Sequence, residues 1–240
     1  MFKKLSLELG GKNPAIIFAD CDYDEMLQTT VRSSFANQGQ ICLCGSRIFV
    51  EASMYQKFKI DFIAAVSKLK VGNPFDTSTD IGALVSRPHL EKVKMYIDNA
   101  AKYGGKVIFG GASVSVDNSE DGYYLEPTII EVQDNSCILN QEEIFGPVVT
   151  IMPFNDENEV VAMANDVSYG LSATLWTNDL KRTMRVSKQI QAGIVWVNTW
   201  LLRDLRTPFG GVKNSGVGRE GGFEALRFFT EPKNICIKYN

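Results

Sequence analysis

Two acidic or nucleophilic side chains stand out by their neighbours. Cys42 closes the stretch Phe35-Ala36-Asn37-Gln38-Gly39-Gln40-Ile41-Cys42, in which a helical pattern breaks at Gly39 just before the thiol. Small, flexible residues beside a thiol let a backbone N–H approach the same reacting centre as the sulfur, which suits a nucleophile with an adjacent oxyanion donor. The alternative is that Cys42 is a small buried hydrophobe, the commoner use of cysteine. Glu8 lies between Leu7 and Leu9 and before Gly10-Gly11. A carboxylate in an apolar setting has its charged form disfavoured, so its pKa should rise, and a general base near neutral pH needs that. The alternative is an exposed residue at a strand end.

Two further stretches offer binding groups. In Gln141-Glu142-Glu143-Ile144-Phe145-Gly146-Pro147, an acid could hold ribose hydroxyls and an aromatic could pack on a flat ring; a solvated acidic turn is the alternative. In Asn198-Thr199-Trp200-Leu201-Leu202-Arg203-Asp204-Leu205-Arg206-Thr207-Pro208-Phe209-Gly210-Gly211, the guanidinium of Arg203 could bind a substrate carboxylate through two oxygens at once. Arg206 reads more simply as a surface ion pair with Asp204.

These residues need a scaffold, and the pattern supplies one. Buried strands are expected at Pro14–Phe18, Arg47–Val50, Val107–Phe109, Tyr124–Val132, Val148–Phe154, Leu171–Trp176 and Gly193–Val197. Helices are expected from Asp22 to about Gln38, with Asp20 or Asp22 as cap, and around Met54–Leu69, Leu90–Ala101, Glu157–Val167 and Asp179–Gln191. Loops fall at Gly72–Gly82 and Gly110–Gly122. This alternation argues for an α/β fold with a mainly parallel sheet. The Asn198–Gly211 loop follows a strand directly, and loops at the carboxyl ends of such strands commonly line sites. Ile235, Ile237 and Tyr239 alternate with polar residues, so Glu231–Asn240 reads as a terminal strand that pairs with another chain's sheet edge or closes the chain's own sheet.

Composition narrows the chemistry. The 240 residues are 45% hydrophobic and 22% charged, with net charge −3, which is ordinary for a globular chain. Scattered basic residues leave no nucleic-acid footprint. The longest apolar runs fall far short of the ~20 residues a bilayer needs, so no membrane association is expected, and a cytoplasmic location is. Five cysteines without a secreted rhythm fit free thiols. The one histidine, His89, reads as an exposed residue of a first helical turn, which leaves His-based hydrolase triads and a metal site unsupported.

Taken together and in this order, Leu7–Pro14 (LELGGKNP), Phe35–Cys42 (FANQGQIC), Glu142–Val148 (EEIFGPV) and Pro208–Gly211 (PFGG) resemble the aldehyde dehydrogenase superfamily, over nearly the whole chain. The resemblance implies a three-layer α/β catalytic domain with a mainly parallel sheet, plus a C-terminal oligomerisation strand. It divides the chain into residues 1–10 as a remnant of a cofactor-binding domain, 11–213 as the catalytic domain, 214–230 as a connecting helix segment and 231–240 as the oligomerisation strand. Cys42 would be the nucleophile, its N–H half of the oxyanion hole, and Cys44 a mere neighbour. Glu8 would be the base. Glu143 would hold the nicotinamide ribose, Phe145 and the Leu9-Gly10 backbone would lie by the nicotinamide, and Phe209 would wall the substrate funnel.

The loop TWLLRDLRTPFGG is most similar to dehydrogenases of 2-aminomuconic and 2-hydroxymuconic semialdehydes, which implies that Arg203 binds the carboxylate of a small aldehyde. The implied cofactor is NAD, with NADP not excluded, and the implied assembly is a homo-dimer or tetramer through the terminal strand. The family pattern also carries an N-terminal half that supplies most of the dinucleotide fold and an oxyanion asparagine. This chain departs from the pattern there, so alone it is expected to bind NAD and turn over aldehyde poorly. Rival readings are a non-enzymatic interaction protein on the same scaffold and a cofactor-free ester hydrolase using Cys42 and Glu8.

Overall fold

The computed structural model describes residues 2–117, 119 and 122–240. Part of the expected Gly110–Gly122 loop, residues 118, 120 and 121, lies outside the described residues. In chain order the elements are β1 (Leu7–Glu8), β2 (Asn13–Ile17), α1 (Tyr23–Phe35), β3 (Gly45–Glu51), α2 (Tyr55–Val66), α3 (Arg87–Asp98), β4 (Gly105–Phe109), β5 (Ser113–Val114), β6 (Tyr124–Leu125) and β7 (Thr128–Val132). They continue with α4 (Ile138–Gln141), β8 (Val148–Phe154), α5 (Glu157–Asn165), β9 (Tyr169–Gly170), β10 (Ser172–Trp176), α6 (Leu180–Gln189), β11 (Ile194–Val197), β12 (Val212–Lys213), β13 (Gly216–Val217) and α7 (Gly222–Phe229).

Seven strands form one sheet in the order β11-β10-β2-β3-β8-β7-β4. All neighbours are parallel except β4, which runs antiparallel to β7 at the edge. The central strand β2, Asn-Pro-Ala-Ile-Ile, is buried at every position. Ala15 and Ile17 join a core with Met26 and Phe35 of α1 and Phe58, Phe62 and Val66 of α2. Ile16 points the other way, into a core with Val160 and Ala164 of α5 and Val186 of α6. Side chains of a strand alternate between faces, so β2 alone fixes helices on both sides and a three-layer α/β fold.

Helix starts follow from short polar caps. Asp22 accepts the Glu25 N–H at 3.2 Å, Ser86 accepts that of His89 at 3.3 Å, and Asp179 accepts that of Lys181 at 2.7 Å. The expected Tyr124–Val132 strand is two strands: β6 pairs with β5 and β7 with β4 and β8, on either side of Pro127, which has no N–H for a ladder.

The first helix ends three residues before the expected Gln38. Asn37 and Gln38 adopt φ/ψ of 51/42° and 57/29°, and Gly39 has φ 68°, so the chain makes a left-handed turn that polar Asn-Gln tolerates but a helix cannot include. Residues 231–240 form no strand within the chain. Ile235, Ile237 and Tyr239 are 71%, 68% and 85% exposed, which removes the option that this segment closes the chain's own sheet. Within the segment 214–230, β13 precedes the helix α7, and β13 pairs with β1 rather than with the main sheet. No helix among the described residues is long and apolar enough to cross a membrane.

Candidate active site

Cys42 lies between the left-handed turn and β3, half-buried. Asn13, at the start of β2, fixes the chain around it. Its Nδ2 donates to the carbonyls of Cys42 at 2.7 Å and Cys44 at 2.8 Å, while its Oδ1 accepts the Ser172 N–H at 3.0 Å. Trp200 adds a third tie by donating its indole N–H to the Leu43 carbonyl at 2.9 Å. One buried amide thus joins three strand starts to the backbone beside the thiol.

The site therefore gathers at the amino ends of β2, β3, β8 and β10. The carboxyl-end expectation for the Asn198–Gly211 loop does not hold. The loop leaves the carboxyl end of β11, where Asn198 bonds Thr177, and then crosses back so that Trp200 and Phe209 pack with Leu43 and Cys42.

Glu8 approaches from β1. Its expected apolar setting between two leucines is not what the structure shows: Leu7 and Leu9 are 42% and 49% exposed. Its pKa is nevertheless raised, by burial of its carboxyl group first and by the charge of Glu220 second; the Gly211 N–H, donating to the carboxylate, pulls the other way. The antiparallel β1–β13 pair and the Leu9 N–H bond to the Ser215 carbonyl, at 3.0 Å, hold it there. The Cys42 thiol is also pushed up. Burial is the main cause and the Glu8 carboxylate the next, while its own backbone N–H, Glu143 and Arg203 act on it as well, the N–H and Arg203 in the lowering direction. Cys44 is 5% exposed and its thiol is pushed up to about 12 by burial, so it stays an inert core thiol.

Glu143 and Phe145 stand before β8. The Gly11 N–H donates to Glu143 Oε1 at 2.7 Å, and a Cβ at Gly10 would overlap that carboxylate, so the paired glycines leave room for it. Glu142 turns away to accept from the Tyr96 hydroxyl. Phe145 has φ 62°, a strained value for an aromatic residue. His89 was expected to be a bland exposed residue. It is half-buried, and its Nε2 lies 2.6 Å from the Phe145 carbonyl. A carbonyl only accepts, so Nε2 carries the proton. His89 and Asn13 are the site residues that sequence patterns missed. His89 lies far from Phe145 in the chain, and Asn13 looked like part of a strand.

Arg203 is exposed and lies 4.2 Å above the Phe209 ring, without a carboxylate partner among the described residues. Arg206 pairs with Asp204, as its simpler reading expected. Arg203, Phe209, Trp196 and Glu220 line a cleft of about 130 Å³. All five cysteines are free thiols, and no group of metal-ligating side chains occurs among the described residues.

Residues 1–235 match the model of the aldehyde dehydrogenase family. The chain belongs to the aldehyde dehydrogenase family. It is 54% identical to the 2-aminomuconic semialdehyde dehydrogenase of Danio rerio, over 99% of this chain and 49% of that protein. It is 46% identical to the 2-hydroxymuconic semialdehyde dehydrogenase of Pseudomonas putida, over 98% of this chain and 49% of that protein. Betaine aldehyde dehydrogenase from Staphylococcus aureus, in complex with NAD+, superposes with a TM-score of 0.89 at 37% identity, covering 97% of this chain and 48% of that one. The chain thus spans about half the length of the relatives it matches, and its fold is that of an aldehyde dehydrogenase.

Proposed function

We propose that this chain carries the catalytic site of an NAD-dependent dehydrogenase that oxidises a small, carboxylate-bearing aldehyde to the acid, with 2-aminomuconic or 2-hydroxymuconic semialdehyde as the favoured type. The observation that carries the reading is the packing of three motifs at the Gly10-Gly11 pair: Gly10 lies against the Glu143 carboxylate, the Gly11 N–H donates to Glu143 Oε1 at 2.7 Å, and Gly11 lies against the Cys42 carbonyl, which Asn13 holds at 2.7 Å.

In this reading the Cys42 thiol loses its proton to water, the thiolate attacks the aldehyde carbon, and the Cys42 N–H receives the developing oxyanion. Arg203, free above Phe209, takes the distal carboxylate and so sets which end of the substrate faces the thiol. NAD, when bound, supplies the acceptor for the hydride that the adduct loses, and a thioester remains on Cys42. Glu8 takes a proton from water; the hydroxide formed cleaves the thioester, and the thiol is restored.

The residues fit the nicotinamide end of NAD. Gly10 presents bare backbone against the Glu143 carboxylate, and Glu143 Oε2 is left for ribose hydroxyls while Oε1 is held by Gly11. NADP remains compatible with this end. A homo-oligomer is part of the proposal, its contact the exposed 231–240 segment, and so is a cytoplasmic location, in keeping with five free thiols. We also keep residues 1–10 as the edge of a cofactor-binding unit, which the pairing of β1 with β13 alone supports.

The test is NADH formation from a muconic-type semialdehyde and from a simple aldehyde at high NAD, where turnover by the chain alone is expected to be slow, with the chain and its Cys42→Ala and Arg203→Gln variants. The reading expects Cys42→Ala to abolish turnover and Arg203→Gln to raise KM about tenfold or more for the carboxylate substrate alone, the scale of one charge-assisted bond. Turnover that survives in Cys42→Ala overturns it.

A further inference from the structure

Two left-handed turns flank the site, and they touch. One is Asn37-Gln38-Gly39 before Cys42; the other is Phe145, beside Gly146. Gly39 lies directly on the second turn, where a Cβ would overlap the Gly146 carbonyl. Residues in this region cost free energy and persist only where their surroundings hold them. Both turns are held from the same place. The Val85 N–H donates to Gln40 Oε1 at 3.1 Å, and four residues later His89 Nε2 donates to the Phe145 carbonyl at 2.6 Å. Ser86 between them caps α3. The same segment also backs the nucleophile turn at Gly82, where a Cβ would come within 2.8 Å of Gln38 Nε2. Inside the turn, Gln40 N–H donates to the Asn37 carbonyl at 3.0 Å and Asn37 Nδ2 to the Gln40 carbonyl at 3.1 Å.

We propose that the first turn of α3 is a clamp that holds the Cys42 turn and the Phe145 turn in fixed register, which makes Gln40 and His89 positioning residues for the reaction. The inference rests on Cys42 being the nucleophile and Phe145 facing the cofactor, but the contacts themselves do not involve the substrate. Its content is coupling: a change at one turn is felt at the other because Gly39 and Gly146 are in contact and both turns hang on Val85–His89.

The test uses the full chain and two readouts. Backbone hydrogen exchange reports on residues 37–44 and 143–147, and the pH profile of Cys42 alkylation, mapped by mass spectrometry, reports on the thiol. His89→Leu removes a donor that touches only the Phe145 turn. The clamp predicts that exchange over 37–44 nevertheless rises about fivefold, the scale of one lost hydrogen bond, and that the Cys42 profile shifts. His89→Gln, which keeps an N–H donor, restores both. Gln40→Leu gives the mirror result at 143–147. Changes confined to the mutated turn, with a Cys42 profile that superposes on the parent's, overturn the clamp. Should His89→Leu not fold, Gln40→Leu decides alone, and unchanged exchange at 143–147 overturns it. If Cys42→Ala leaves turnover unchanged, the nucleophile reading fails, while the exchange data still judge the clamp.

Discussion

Gly39→Ala separates conformational strain from close contact. Gly39 has φ 68°, and an added Cβ would overlap the Gly146 carbonyl oxygen. Alanine in a left-handed conformation costs roughly 1–2 kcal/mol. Forcing a methyl into a filled space costs about 1–3 kcal/mol more. The expected loss is therefore about 2–5 kcal/mol, which for a chain of this size lowers Tm by about 4–20 °C. Gly104→Ala is the control. Gly104 has φ 82°, but the nearest atom to an added Cβ, Cys137 Cβ, is 3.8 Å away, an ordinary contact. It should pay only the conformational part, about 1–2 kcal/mol. Urea melts of the two variants give the contact part by difference. Gly39→Ala should also slow Cys42 alkylation at fixed pH, and Gly104→Ala should leave it alone. Equal losses, within about 0.5 kcal/mol, would refute the argument that the nucleophile turn is pressed against the Phe145 turn.

Other consequences can be checked in the same way. Glu8→Gln removes the carboxylate that is the second cause of the raised Cys42 pKa, so the rise of alkylation rate with pH should move to lower pH; a shift upward or none would contradict the placement of Glu8. Lys12 is 2% exposed and its pKa is lowered to about 7 by burial, then by Arg47. Between pH 7 and the ordinary lysine value of 10.5 the unfolded chain binds more protons than the folded one, so Lys12 makes stability rise with pH across that window; Lys12→Met should flatten the rise in urea melts. Arg47 is fully buried and donates to the carbonyls of Lys12, Met163 and Ala164 at 2.8–3.0 Å. Arg47→Met strands those acceptors and should cost about 3 kcal/mol or more in the same melts. Asn13→Leu should both destabilise the chain by about 2–4 kcal/mol, for three lost buried bonds, and broaden the alkylation of Cys42 relative to the other thiols.

Much of this was legible in the sequence because the signals were local. Five buried residues in a row at Asn13–Ile17 read as a strand, and Asp22 and Asp179 read as caps, since each depends only on neighbours in the chain. Cys42, Glu8, Glu143 and Arg203 were singled out by motif, a signal that also depends only on neighbours in the chain. What stayed hidden depends on distant partners. Asn37-Gln38 continues a helical pattern, and only contact with Gly146 and Val85 turns it left-handed. Glu8 looked buried by its leucines, but those are exposed; its carboxyl group is part-buried, with Glu220 and Gly211 acting on it, by segments remote in sequence. His89 looked idle because Phe145 is remote in sequence. The 231–240 segment has strand alternation and no strand partner among the described residues, so pattern alone could not place it.

In the proposed reaction Cys42 forms a covalent acyl intermediate which Glu8 helps to hydrolyse. The direct test is p-nitrophenyl acetate with the parent chain, Cys42→Ala and Glu8→Gln, followed by peptide mapping for acetyl-cysteine. Slow turnover is expected of the parent, none of Cys42→Ala, and acetyl trapped on Cys42 in Glu8→Gln. Acetyl found on another residue, or ester cleavage undiminished in Cys42→Ala, would contradict it.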